Sequence, residues 1–499
     1  MNNKNKHSVF PIFMIFSIFC LVYLGSDSWV TYAQVPASEC INYDPETTTI
    51  NVMCGTFNLG RISQDLGNPN LLSSNKKEWI LSANLTIGDT ATVFITSTDS
   101  DWLKIKGDSK NEYYGIKNYG NLIIDHTKIS SWNLETDNYV QQTDDGSIKR
   151  PYIAIMEDAT GQMNITNSEI SHLGWDESHA QGVGYYSGDH SKIDNNNIHD
   201  LYYGVYSKGV GNIIITNNDI HHNFKYGLYS QTGSYDLLIK NNKVHDTKGF
   251  AIVCSLDCSR IIIENNAVYN NSKGGIAFSR NVSDSIARNN TIYDEELAIS
   301  LSDSNKNQIY GNIISDSKIG VALKVQRPLE YTTSSNAIYE NTISNSDLGI
   351  SIDPEASGNT IHNNAISNST DAGIFISDFI NRNNSIYGNS FSNNNDEIST
   401  KSLRDVIPIG LRDMAPSWCK NEINESGFME GLQYLASRGI ISESGNQSDA
   451  PSTKLVPEWA KNNACWWSKK LISDRDFVSG IQYLVNKGII VISTESDTE

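Results

Sequence analysis

The chain has 499 residues, 57 acidic against 38 basic, and a formal charge of −19. That balance argues against a nucleic-acid partner, whose phosphates demand a basic footprint. It also argues against broad affinity for polyanions, unless a local basic groove or a bridging divalent cation such as calcium assists.

Residues 1–33 read as a secretory signal. Lys4, Lys6 and His7 precede an apolar run over 9–24, and Thr31-Tyr32-Ala33 offers a cleavage position. The run is short for a span and no stop-transfer charges come after it, so removal rather than anchoring is expected. No later stretch is long and apolar enough to cross a bilayer, which predicts a secreted or cell-surface protein. Cys20 lies inside the run, but Phe19 before it is too large for a lipoprotein motif.

The remaining cysteines fall into three neighbouring pairs: Cys40 with Cys54, Cys254 with Cys258, and Cys419 with Cys465. An even number in an exported chain predicts disulfides, with the pairing open and Cys254–Cys258 the least supported. Zinc is the alternative, but the spacings make no recognisable metal site.

Residues 34–110 carry strand-like runs and are expected to form an N-terminal β cap, because an open sheet end exposes unpaired backbone. Residues 121–129 look like a first full rung. The polar segment 131–150 is expected to loop out.

A repeat then fills the middle of the chain. Asn-rich turns lead to apolar anchors at Ile198, Ile220, Val244, Val268, Ile292, Ile314, Ile343, Ile366 and Phe391. The spacing is 22–25 residues except for one of 29, explained by an insertion over 326–335. A few residues after each anchor comes Gly or Ala, as at Gly204, Gly227, Ala251 and Gly275. Beyond it the pattern alternates with period two, which is the signature of a strand. The first and third positions, such as Leu228, Ile252 and Ile276, are expected to face inward. The second and fourth face outward.

Such a unit, read as a short strand, a turn and another short strand, cannot bury its own apolar face. Stacked copies can, with neighbouring strands about 4.8 Å apart. The predicted fold is therefore an all-β solenoid, a right-handed parallel β-helix over 111–402. The Asn column at Asn196, Asn218, Asn242, Asn266 and Asn290 suits left-handed turn positions and a ladder of stacked amides.

After about Ser402 the composition changes. Two related segments, PSWCK…FMEGLQYLASRGII and PEWAK…FVSGIQYLVNKGII, predict a small module of two helical repeats over 403–499. Trp466 and Trp467 are better read as core of a small domain than as sugar platforms.

Residues 174–312 resemble the mannuronan C5-epimerase branch of the right-handed parallel β-helix proteins. The matching text includes GYYSGDHSKIDNNNIHDLYYGVYSKGVGNIIITNNDIHHN, LLIKNNKVHDT and GGIAFSRNVSDSIARNNTIYD. The resemblance implies a strand reading Tyr-Gly-aliphatic-Asp-Pro-His, with His as base, Tyr as acid and an Arg on the next rung neutralising the substrate carboxylate. Those types suit the chemistry. The C5 proton of a uronate is weakly acidic, so its removal needs a base and a cation beside the enolate that forms.

This chain departs from the pattern. Tyr226 and Gly227 match, but Tyr229, Ser230 and Gln231 stand where the resemblance calls for Asp, Pro and His. Leu256 takes the Arg position, with Arg280 one rung later. Gln cannot act as a base. The expected reading is therefore an exported protein that contacts extracellular, uronate-containing polysaccharide with the catalytic motif lost.

The candidate binding residues are Tyr203, Tyr206, Lys208, Gln231, Phe250 and Arg280. Tyr226 and Tyr229 are the catalytic candidates if the chain is an active epimerase or lyase with a relocated base. A third reading takes the His199, His221 and His245 column, with His222 and Asp200 beside it, as metal-handling. No resident cofactor or metal is otherwise called for.

Overall fold

The computed structural model describes residues 40–108, 112–326, 331–377 and 383–400 continuously. In the C-terminal region it describes 409–420, 425–437, 440–441, 458–469, 471–472, 474–490 and 492. The signal segment lies outside the described residues.

Stacked coils form a solenoid whose strands pair almost entirely in parallel, in two ladders that run the length of the array. Each middle coil carries three strands rather than the two expected. Tyr203–Lys208, Ile214–Thr216 and Asp219–His221 form one such coil, and Tyr226–Gln231, Leu238–Lys240 and Lys243–His245 form the next. The additional strand is only three residues long, too short for its alternation to register in the sequence. Parallel pairing also begins earlier than residue 121, with Thr49–Asn58 against Asn84–Thr96. An antiparallel strand, Ile41–Asp44, closes the N-terminal end with the amphipathic helix Leu59–Leu66, which buries Leu59 and Ile62.

The inward assignments hold. Val205, Leu228, Ile252, Ile276, Ile299 and Val321 are all at most 2% exposed and join one continuous core. Register places Leu228 on Ile252, Ile252 on Ile276 and Ile276 on Ile299. The small residue at the strand start is a packing demand. A Cβ on Gly227 would lie 2.5 Å from Val244 Cγ1 and 2.7 Å from the Ala251 carbonyl.

The Asn column forms a buried ladder. Asn196, Asn218, Asn242 and Asn266 each donate from Nδ2 to Oδ1 of the Asn one coil on, at 2.8–3.1 Å. Each also reaches a backbone carbonyl of the coil before, as Asn218 does at Ile193. The left-handed backbone falls one residue earlier than expected, on Asn195, Asn217, Asn241 and Asn265. The αL residue turns the chain, and the next side chain is thereby aimed along the axis.

Two further corrections concern the cysteines and the loop. Cys40–Cys54 is a disulfide, and Cys465 is disulfide-bonded, while the side chain of Cys419 lies outside the described residues. Cys254 and Cys258 are free and buried. Cys254 occupies an inward strand position, and the Cys258 thiol instead donates to the Ser255 carbonyl at 3.1 Å. Ser131 and Trp132 stay in the strand ladder, and only 133–150 leaves it, anchored at its far end. Arg150, 2% exposed, donates to the carbonyls of Gly174, Leu173 and Asp200.

In the C-terminal region, helices Ile409–Cys419, Glu425–Ser437, Glu458–Ser468 and Asp474–Asn486 share a small core of their own. The repeat shows in its rings: Trp418 stacks on Phe428, and Trp467 on Phe477, both at 3.9 Å. Trp467 is thus a core residue, while Trp466 is 49% exposed. Among the described residues, no helix is long and apolar enough to cross a membrane.

Candidate functional site

The outward positions of the middle coils build the candidate site. Register pairs Tyr203 with Tyr226, Tyr206 with Tyr229, and Lys208 with Gln231. Strands about 4.8 Å apart bring outward rings on successive rungs into contact. Tyr203 lies 5.6 Å from Tyr226 and 5.3 Å from Tyr229, and Tyr226 lies 5.0 Å from Tyr229, centroid to centroid.

With Tyr152, Tyr186, Tyr202, Val253 and Ala277 they form a second apolar cluster on the outside of the solenoid. Tyr203 and Tyr206 are each 5% exposed and Tyr229 is 9% exposed. Their faces are taken up by one another, which corrects the picture of open rings awaiting a sugar. The anchored loop adds to this cover, since Gly146 sits against Phe224 and Tyr202. Gln231 is also engaged, accepting from the Tyr206 hydroxyl at 2.7 Å. Lys208 is exposed.

An open groove of about 290 Å³ lies at the next coils, lined by Tyr226, Phe250, Ser255, Arg280, Lys324 and Gln326 among others. Arg280 reaches back a full coil and donates to the Ser255 hydroxyl at 2.9 Å from Nη2. Gln326 donates to the Ser302 hydroxyl at 3.0 Å. One side of the groove is aromatic and the other carries two cations and an amide. The sequence singled out Arg280 but not Lys324 or Gln326, which belong to a coil lengthened by the insertion. For Lys324 the strand column, in register with Ser302, was the available signal, whereas Gln326 lies past the strand end.

The electrostatics bear on the relocated base. Burial pushes the Tyr229 phenol above its ordinary pKa, and the nearby Arg280 charge opposes this without reversing it. Burial raises Tyr226 in the same way, again against Arg280. Both phenols are therefore protonated at neutral pH. Burial therefore works against Tyr229 as a base and leaves Tyr226 the proton that an acid would need.

At the other end of the aromatic cluster lies a constellation to which no sequence pattern points. His179 Nε2 is 2.6 Å from Glu157 Oε1, and the His179 ring packs on Tyr186 at 4.4 Å. Tyr186 in turn touches Tyr206, at 5.6 Å. His179 sits in a loop outside the repeat, so no column leads to it.

The histidine column is a stacked ladder. His199, His221 and His245 lie 5.0 and 5.1 Å apart, nearly coplanar in orientation. His199 bonds Asp200 at 2.7 Å, and His245 bonds Asp246 and Asp219. Among the described residues, His172, His199 and Asp200 offer ligand atoms within 4.8 Å of one another and could hold a metal ion. Their two imidazoles stand in opposite electrostatic settings. Burial lowers His172 to about 4, with the Arg150 and Lys128 charges adding to the effect. Burial would depress His199 too, but Asp200 and Glu169 raise it to about 9, so its ordinary state is an ion pair.

A family model described as the right-handed beta helix region matches residues 152–286 and 279–401, half of the chain. The chain belongs to this β-helix family. No curated protein matches the sequence.

Among solved structures, the periplasmic alginate epimerase AlgG superposes on this β-helix with a TM-score of 0.59 at 19% identity. That match covers 69% of this chain and 85% of AlgG. A singly substituted AlgG matches with a TM-score of 0.60 at 19% identity and the same coverage. At such identity the likeness establishes the β-helix architecture, and the chemistry has to be argued from this chain's own residues.

Proposed function

We propose that this β-helix is an exported or cell-surface protein that binds a uronate-containing polysaccharide across its outward sheet face. The observation that carries the reading is the groove beside Tyr226 and Phe250, where Arg280, Lys324 and Gln326 oppose aromatic walls. A uronate presents apolar ring faces, hydroxyls and one carboxylate, and these groups match that lining. In a chain of net charge −19, two cations brought to one groove stand out from their surroundings. Support also comes from the shared architecture with a protein named for acting on alginate. The positions that carry base and arginine in the resembling family are Gln231 and Leu256 here, so turnover does not follow from those positions.

Titration calorimetry with a mannuronate oligomer tests the reading. Binding is expected without a cofactor. Calcium, if it contributes, acts as a bridge, and then the affinity rises with added calcium. Losing a charge-assisted contact through Arg280→Ala should weaken binding about tenfold or more. Tyr229→Ala and Lys208→Ala should weaken it less. No heat of binding with mannuronate or guluronate oligomers, with or without calcium, overturns the reading.

A further inference from the structure

The geometry points to His179, held by Glu157, as a general base that removes the C5 proton of a uronate residue on this face. The inference rests on the uronate-binding reading and adds a reacting group to it.

Three elements converge. Tyr152–Ile155 and Gly182–Tyr185 are paired in parallel, with Ile155 opposite Tyr185. Just past those strands the Tyr186 N–H donates to the Ile155 carbonyl at 3.0 Å, and Glu157 follows two residues after Ile155. The loop leading into Gly182–Tyr185 carries His179 back over them, where its backbone N–H donates to the Tyr186 hydroxyl at 2.8 Å. The next pairing sets Tyr185 on Ser207, so Tyr186 and Lys208 share one outward column.

The pair has the form of an oriented base. Glu157 is ionised. Burial opposes this, but the hydrogen bond from His179 holds the carboxyl below its ordinary value, and Lys208 adds its charge. A carboxylate at 2.6 Å accepts the Nε2 proton and leaves Nδ1 with the free lone pair. The imidazole side chain remains 29% exposed, and Tyr186 fixes its ring from one side. A structural ion pair needs only the Glu157 contact. It does not need a half-open imidazole with a cation and a stack of phenols beside it.

The step balances without a co-reactant. The C5–H bond breaks and its proton passes to His179 Nδ1. The electron pair moves into the carboxylate as an enolate, and the Lys208 ammonium faces that charge. The enolate then takes a proton back at C5. Return from the imidazolium side restores the substrate, and return from the opposite side gives the C5 epimer. In deuterated water, delivery from solvent to the opposite side leaves deuterium at C5, as does return from an imidazolium that has first exchanged its proton with solvent.

The test uses the mature full chain and a mannuronate oligomer, with binding and C5 deuterium read separately. Wild-type protein should bind and exchange. His179→Ala should still bind while exchange falls about 10²–10⁴-fold, as expected for loss of a general base. Added imidazole should restore part of it. Glu157→Gln should slow exchange and shift its pH profile. If His179→Ala fails to fold, Glu157→Gln and His179→Gln carry the same comparison. Binding without exchange in wild type overturns the inference and leaves the binding reading standing. Exchange that survives His179 substitution also overturns it. Absence of binding overturns both.

Discussion

The early and late coils of the solenoid share one backbone and differ in what they show to solvent. In the second outward column, Tyr206 and Tyr229 give way to Val253, Ala277, Ser300, Ala322 and Ser351 along the axis. The inward columns scarcely change: Val205, Leu228, Ile252, Ile276 and Ile299 fill the same slot. Inward positions answer to packing, which is the same on every rung. Outward positions are free of that demand and vary with what they touch. The contrast separates the coils whose outward rings cover one another from the coils beyond Val253, whose small outward residues leave room for the groove lined by Arg280 and Lys324.

The largest effect should come from breaking an inward column. Ile276→Asp places an unpaired charge in a fully buried slot and should abolish cooperative folding, whereas Thr291→Asp, exposed beside the buried Ile292, should change stability by under about 1 kcal/mol. Thermal unfolding by circular dichroism reads both. Equal melting temperatures would sink the division into inward and outward columns.

A smaller loss is expected from the amide ladder. Asn266 donates to Asn290 and to the Ile239 carbonyl, and its own Oδ1 accepts from Asn242. Asn266→Ala leaves these buried partners unsatisfied and should cost about 1–3 kcal/mol in denaturant unfolding.

The gentlest test is a pH scan. Glu295 stands in a buried turn position, 3% exposed, and burial lifts its carboxyl to about 8 from 4.5. The folded state holds this proton more tightly than the unfolded state does. Its contribution is complete below about pH 4.5 and is lost as pH rises toward 8. Glu295→Gln cannot ionise. Its melting temperature should match wild type at acid pH and exceed it by several degrees at pH 9. Parallel pH curves would refute the assignment.

The repeat period, the inward columns and the amide ladder were legible in the sequence because they recur every 22–25 residues and obey local alternation. Tyr203, Tyr206, Tyr226 and Tyr229 were legible as outward for the same reason. Their near-burial was not, since it depends on rings of different coils covering each other and on the loop anchored by Arg150. The three-residue strands were too short to read, and Cys254 and Cys258 adjoin in sequence without pairing because strand geometry turns Cys254 into the core.

The sequence by itself determined the solenoid, because a repeated apolar pattern has one way to bury itself. Tertiary structure alone decided which outward groups meet. Glu157 and His179 are 22 residues apart in different turns, and Arg280 reaches a serine 25 residues before it. Those meetings are set by parallel register between coils and by the path of a loop, which no local periodicity encodes.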